Sequence, residues 1–251
     1  RDWSSDVCSS DLKSPADGYT LLMAFTSHVT NPSLFPKLSY DPVRDFTPLS
    51  FVATIPNVLV VHPTVAADSV GTLIALAKKK QLSFASTGNG ASTHLAGVLF
   101  GHMTGTKMLH VPYKGAGPAM IATVSNEADV MFANPAVFMP QIHAGRLRPL
   151  ATASMQRLAT LPDMPTFHES GFANFESLSW YGPVSPTGTP QAIIQLLHKE
   201  FTAILKLPDI IARITQDGGM PIGNTPHEYA REIREETAKW ARVIREANIK
   251  L

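Results

Sequence analysis

Residues 82–103 read LSFASTGNGASTHLAGVLFGHM. The stretch falls into three parts. Leu82 to Ser86 is a short apolar run of strand type. Thr87-Gly88-Asn89-Gly90 is a glycine-rich turn, and a helix is expected from about Ala91 to Met103. A strand that ends in a glycine loop and opens at once into a helix is the repeating unit of parallel α/β sheets. Ligands of such sheets sit at the carboxyl ends of the strands, where this loop lies.

The same rhythm extends on both sides. Pro56 to Pro63 is an apolar run bounded by prolines and reads as a buried strand. Ser69 caps a helix that presents Val70, Leu73, Ile74 and Ala77 on one face. Met108 to Val111, Ala128 to Phe132 and Leu147 to Ala153 are further strands, with helices starting at Pro118 and stopping at Gly145. The alternation predicts an α/β fold with parallel-rich sheets and helices on both faces. Beyond Leu161 the chain turns irregular, and Phe175 to Tyr181 reads as extended. Two long helices follow. Thr189 is expected as N-cap of the first, with Pro190 at its first position and Ile193, Leu197, Phe201 and Ile204 facing inward. The second opens on Thr225-Pro226-His227-Glu228, a capping box, with Tyr229, Ile233, Trp240 and Ile244 as its apolar stripe.

Composition narrows the function. The 251 residues are 44% hydrophobic and 16% charged, with net charge +1. That balance fits a globular chain of one large domain or two lobes. It gives no sign of nucleic acid or of an anionic membrane surface as partner. No apolar run approaches the ~20 residues of a membrane span. Cys8 is the single cysteine, so the sequence offers no disulfide and no cysteine-based metal site.

In the glycine loop the backbone can approach an anion closely. Unpaired N–H groups and the helix dipole would stabilise its charge, with the Thr87 and Ser92 hydroxyls as extra donors. A glycine turn with a serine cap explains the same residues about equally well. The string is not a dinucleotide fingerprint, because Thr93 stands in place of the third glycine, and no Gly-Lys-Ser/Thr follows to make a P-loop. Ser92 and His94 are two apart on a helix and do not face each other. No Gly-x-Ser-x-Gly elbow occurs, so a hydrolase is disfavoured and no catalytic residue is assigned. The nine histidines are scattered, and none forms His-Glu-x-x-His, so no metal is expected. Lys114 follows a strand and could draw anions toward a cleft, although a solvated lysine before a turn is as good a reading. Thr26-Ser27-His28 also ends a strand, and its donors could meet those of Thr87 to Ser92 if two lobes face one another.

Five ordered motifs carry a family resemblance: Pro15-Ala16-Asp17-Gly18-Tyr19-Thr20-Leu21-Leu22, Tyr40-Asp41-Pro42-Val43-Arg44-Asp45-Phe46, Ser86-Thr87-Gly88-Asn89-Gly90, His110-Val111-Pro112-Tyr113-Lys114-Gly115 and Leu161-Pro162-Asp163-Met164-Pro165-Thr166. From about Ser14 to Leu251 the chain resembles the solute-binding proteins of tripartite tricarboxylate transporters, the Bug (Bordetella uptake gene) family. The resemblance implies a two-lobed periplasmic binding protein of type II-like fold. Such a protein closes on a small carboxylate and delivers it to a membrane permease, with no cofactor, no chemistry, no nucleic acid and no membrane insertion of its own. Taken with the strand-end readings above, it puts ligand contacts at Thr26, Ser27, Thr87, Gly88, Asn89, Gly90, Ala91, Ser92, Ala133 and Asn134, with His28, Tyr113 and Lys114 secondary.

Two departures bear on the solute. Ala91 stands where the family commonly has Ser or Thr, and Ala133-Asn134 where many relatives carry an Asp. A di- or tricarboxylate or an aromatic acid is therefore expected over an amino acid. The resemblance also implies lobes at 13–58 plus 183–251 and at 59–182. Residues 1–12 resemble nothing in the family and read as a non-native stretch that replaces a first βαβ unit and its ligand loop. An alternative with the same fold is a sensor input that passes its ligand-bound shape to a signalling partner.

Overall fold

The computed structural model describes residues 14–35 and 37–246. The expectation for residues 1–12 falls outside them. The chain divides into two units. Unit 1 comprises Arg1–Thr54, Trp180–Thr215 and Met220–Leu251, and unit 2 comprises Ile55–Ser179 and Gln216–Gly219.

Unit 2 is built on strands β4 (Val58–Val61), β5 (Ser83–Ser86), β6 (Leu109–Pro112), β7 (Val130–Ala133) and β8 (Arg148–Thr152), in the order β6-β5-β7-β4-β8. β5 pairs in parallel with β6 and β7, whereas β4 runs antiparallel between β7 and β8. The carboxyl ends of β5 to β8 therefore share one edge of the sheet. Alternate residues feed two separate cores. Leu59, Val61, Phe84, Val130 and Phe132 point into one, together with Leu73 of helix α2 (Val70–Lys79) and Phe100 of α3 (Ser92–Thr104). Val58, Val60, Ala85, Met131 and Ala133 point into the other, with Ala119 of α4 (Ala116–Val124) and Phe138 of α5 (Pro135–His143). Strands buried on both faces lose polar alternation, and this is why Val58-Leu59-Val60-Val61 is wholly apolar. Gly97 brings α3 down onto β5: a Cβ there would stand 2.3 Å from the Phe84 ring. The expected face of α2 is confirmed at Val70, Leu73 and Ala77, and Ser69 caps it.

In unit 1, β1 (Leu22–Phe25) and β2 (Phe46–Pro48) pair antiparallel with β9 (Leu178–Pro186), and β10 (Met220–Pro221) pairs antiparallel with β3 (Ala53–Pro56). Parallel pairing thus belongs to unit 2. In unit 1 the nine-residue β9 returns between β1 and β3, so β1 meets it head to tail. β1 stops at Phe25, because Thr26 already opens α1 (Thr26–Leu34). Helix α8 (Pro226–Glu246) has the expected box: Glu228 Oε2 accepts from Thr225 N, and Thr225 Oγ1 accepts from Glu228 N. Its stripe of Tyr229, Ile233, Trp240 and Ile244 is buried as expected. Tyr229 donates to the Gly182 carbonyl at 3.0 Å, and no side chain at 182 would clear its ring.

Helix α6 (Gln191–Ile204) differs from expectation. Its N-cap is Pro190, and the Thr189 hydroxyl donates to the Pro186 carbonyl in the preceding turn instead of capping. Only Ile194 is buried, and Ile204 is exposed. Helix α7 (Pro208–Gln216) buries no residue. Among the described residues no helix is long and apolar enough to cross a membrane.

Candidate functional site

Three helices of unit 2 start where parallel strands end. β5 leads into α3, β6 into α4 and β7 into α5. Their N-caps are Ala91, Gly115 and Asn134. None makes a side-chain cap bond, and none of the three first turns carries an acidic residue. An α-helix leaves its first amides without internal partners, and its dipole makes that end positive. At this edge the sequence neither caps those amides nor neutralises the charge.

The glycine loop sorts its own amides. Gly88 and Gly90 adopt φ of 141° and 75°, conformations open chiefly to glycine. Thr87 N donates to Thr93 Oγ1 at 2.9 Å, Gly88 N to Ser86 Oγ at 3.2 Å and Gly90 N to His94 Nδ1 at 3.1 Å. The amides of Asn89, Ser92 and Thr93 have no partner among the described residues, nor do those of Ala116, Gly117 and Ala136 on the neighbouring helix starts. Backbone donors thus gather at one sheet edge, the arrangement that holds carboxylates and phosphates.

Side chains around the loop are committed to one another. Ser179 Oγ donates to Asn134 Oδ1 at 2.9 Å and lies 2.7 Å from Ser92 Oγ. A hydroxyl has one proton, so Ser92 must donate to Ser179. The Ser92 hydroxyl proton is therefore committed to Ser179, whereas its lone pairs and its amide are not. Thr87 and Thr93 hydroxyls lie 2.9 Å apart. Ala133 is buried in the core beside Val58 and Met131, so only its backbone borders the edge. Tyr113 is half-buried and its amide donates to the Ser86 carbonyl; Lys114 is exposed.

His94 and His110 form a pair that their spacing in the sequence does not announce. The rings of His94 and His110 stack with centroids 3.9 Å apart and planes 10° from parallel, and Phe84 stacks on His110 at 4.8 Å. His110 Nε2 lies 2.6 Å from Ser86 Oγ. Burial lowers His94 to about 3, with His110 adding to the shift, and burial lowers His110 to about 4. Both are neutral at pH 7. The signal available in the sequence was register: His110 pairs beside Phe84 across β5 and β6, under the helix that carries His94.

In unit 1, Thr26 and Ser27 open α1, which also lacks a side-chain cap. The Thr26 hydroxyl is buried without a partner among the described residues, and Ser27 is half-buried. His28 sits in the core of that unit. Its Nε2 is 3.2 Å from the Pro42 carbonyl, and its ring stacks on Tyr40 and meets Phe46 edge-on. Burial lowers it to about 4, against the Pro42 bond and the Asp41 charge. Among the described residues no group of three or more His, Cys, Asp or Glu side chains is placed to hold a metal ion.

The tripartite tricarboxylate transporter family receptor matches this sequence over residues 9–249. The chain belongs to that family. It is 35% identical to the protein of the tcbD–tcbE intergenic region of Pseudomonas sp. strain P51, over 97% of this chain and 74% of that one. It is 34% identical to BugT of Bordetella pertussis, over 95% and 74%. A solved periplasmic transporter superposes with TM-score 0.92 at 37% identity, over 98% of this chain and 83% of its own. Rpa4515 of R. palustris, solved with adipate, gives 0.92 at 32%, over 98% and 83%. MatC of Rhodopseudomonas palustris, solved with malate, gives 0.88 at 26%, over 97% and 85%. The expected α/β binding-protein fold is the one shared with these structures, and the protein is a solute receptor, not an enzyme.

Proposed function

We propose that the protein is a periplasmic receptor that captures a small dicarboxylate and presents it to a membrane permease. One observation carries the reading. The starts of α3, α4 and α5 converge on one sheet edge uncapped, with no acidic residue in any first turn and partnerless amides at Asn89, Ser92 and Thr93. Nothing at that edge requires a cofactor. Relatives solved with adipate and malate support a carboxylate as the solute. The segment Thr87–Ser92 takes one carboxylate through backbone amides, with Asn134 at its border. Thr26 and Ser27 on α1 are the donors proposed from unit 1, where a buried hydroxyl lacks a partner. The two units then serve as lobes whose closure on the solute makes the form recognised by the permease.

A thermal-shift screen tests the solute class. A ligand at a hundred times its dissociation constant adds about 2.7 kcal/mol to stability. Adipate, malate, succinate or citrate is expected to raise Tm by several degrees. A rise with amino acids or sugars and with none of these four acids would overturn the reading.

A further inference from the structure

A buried histidine, His94, and a half-buried one, His110, hold the turn of the glycine loop from beneath. His94 Nδ1 accepts the Gly90 amide. A ring nitrogen that accepts carries no proton, so His94 bears its single proton on Nε2. His110 Nε2 contacts Ser86 Oγ, and that oxygen accepts the Gly88 amide. Each of the two left-handed glycines is thus tied inward through one histidine, directly for Gly90 and through Ser86 for Gly88. Stacking at 3.9 Å joins the two ties into one support.

We propose that His94 and His110 are positioning residues of the solute site. By engaging the amides of Gly90 and Gly88 they leave those of Asn89, Ser92 and Thr93 as the ones presented to the solute carboxylate. This rests on the reading of that edge as the solute site. A filler role makes a different demand, since a ring that only packs needs no acceptor nitrogen. His94→Phe keeps a flat stacking ring and removes the acceptor. His94→Asn loses the ring but places Oδ1 the same number of bonds from the backbone as Nδ1.

Amide hydrogen exchange at Gly90, read together with calorimetry using adipate and malate, separates the two roles. In the wild type and in His94→Asn the Gly90 amide is protected, and in His94→Phe it exchanges at least about tenfold faster. The affinity for whichever acid binds the wild type falls about tenfold or more in His94→Phe and stays within about threefold in His94→Asn. Should His94→Phe fail to melt cooperatively, His94→Leu, which matches His94→Asn in shape and lacks the acceptor, is read against His94→Asn at the Gly90 amide in the same way. Unchanged Gly90 protection in His94→Phe overturns the proposal, as does lost protection with unchanged affinity. If the wild type binds neither acid while the exchange pattern holds, the support of the loop stands and the solute assignment fails.

Discussion

Helix α2 opens with Asp68, Ser69 and Thr72 wrapped around its first turn, whereas α3, α4 and α5 open bare. At α2, Ser69 Oγ accepts from Thr72 N, Thr72 Oγ1 accepts from Ser69 N and donates to Asp68 Oδ1. The Ala67 carbonyl accepts from Arg148 at the start of β8, which places this helix start beside the amino edge of the sheet. Both kinds of start belong to one unit and pack on one sheet. The difference lies in what satisfies the first amides. At the amino edge the chain does it with its own hydroxyls and a carboxylate. At the carboxyl edge it withholds them, and the loop is held from below by neutral imidazoles. A helix cap is worth about 1 kcal/mol. Leaving three helices uncapped at one edge is a stability cost that makes sense where a ligand supplies the missing partner.

Acid should break that contrast with the largest effect. His94 and His110 are lowered to about 3 and about 4, against about 6.5 for an unfolded histidine. A base depressed in the folded state favours unfolding once the unfolded chain begins to take up protons. Stability is complete above about pH 6.5 and falls as pH drops toward 4, by at most about 1.4 kcal/mol per pH unit for each histidine. His28 in unit 1 adds to the same trend. Urea melts at pH 7, 6 and 5 measure this, and a flat profile would show that the imidazoles are not held neutral. Asp68 is lowered by its bonds to Thr72 and Ser69, so the amino edge should keep its cap through that range. The next effect concerns the solute. Ala91→Asp supplies α3 with the cap that α2 has: its backbone is already extended at φ −67° and ψ 157°. Stability should rise by about 1 kcal/mol. The affinity for dicarboxylates should drop about a hundredfold or more, because a carboxylate then occupies the anion's place. Calorimetry showing undiminished affinity would remove α3 from the site.

Most of unit 2 was legible because its signals are local. An apolar run between prolines, a glycine loop and a Ser-x-x-Thr cap each declare themselves within a few residues. The loop was singled out correctly as a meeting of strand end and helix start. Its internal wiring was not, since His94 finds its partner sixteen positions on, through the pairing of β5 with β6. The bonding of Ser92 is hidden from the sequence for a related reason. The residue that takes its proton, Ser179, lies eighty-seven positions away. In unit 1 the direction of pairing is set by β9, which reaches β1 from more than a hundred and fifty positions along the chain and runs antiparallel to it. Capping of α6 failed more simply, because Thr189 spends its hydroxyl on the turn that precedes it.

Two smaller effects sharpen the comparison. Ser69→Ala removes a real cap at the amino edge and should cost about 1 kcal/mol in urea melts without altering dicarboxylate affinity. Loss of affinity there would mean that the two edges are not independent. Ser92→Ala is the finest test. If the Ser92 hydroxyl were a donor to the carboxylate, its removal would weaken binding tenfold or more, as expected when a charge-assisted bond is lost. The proton count says otherwise. Ser179 keeps its bond to Asn134 when Ser92 is gone, because Ser179 is the donor in that bond. The backbone amide at 92 also survives the change. Ser92→Ala should therefore lower stability by about 0.5–1 kcal/mol and shift adipate or malate affinity by less than about threefold. A tenfold loss would reverse the direction of the Ser92, Ser179 and Asn134 chain and put the hydroxyl proton back on the solute.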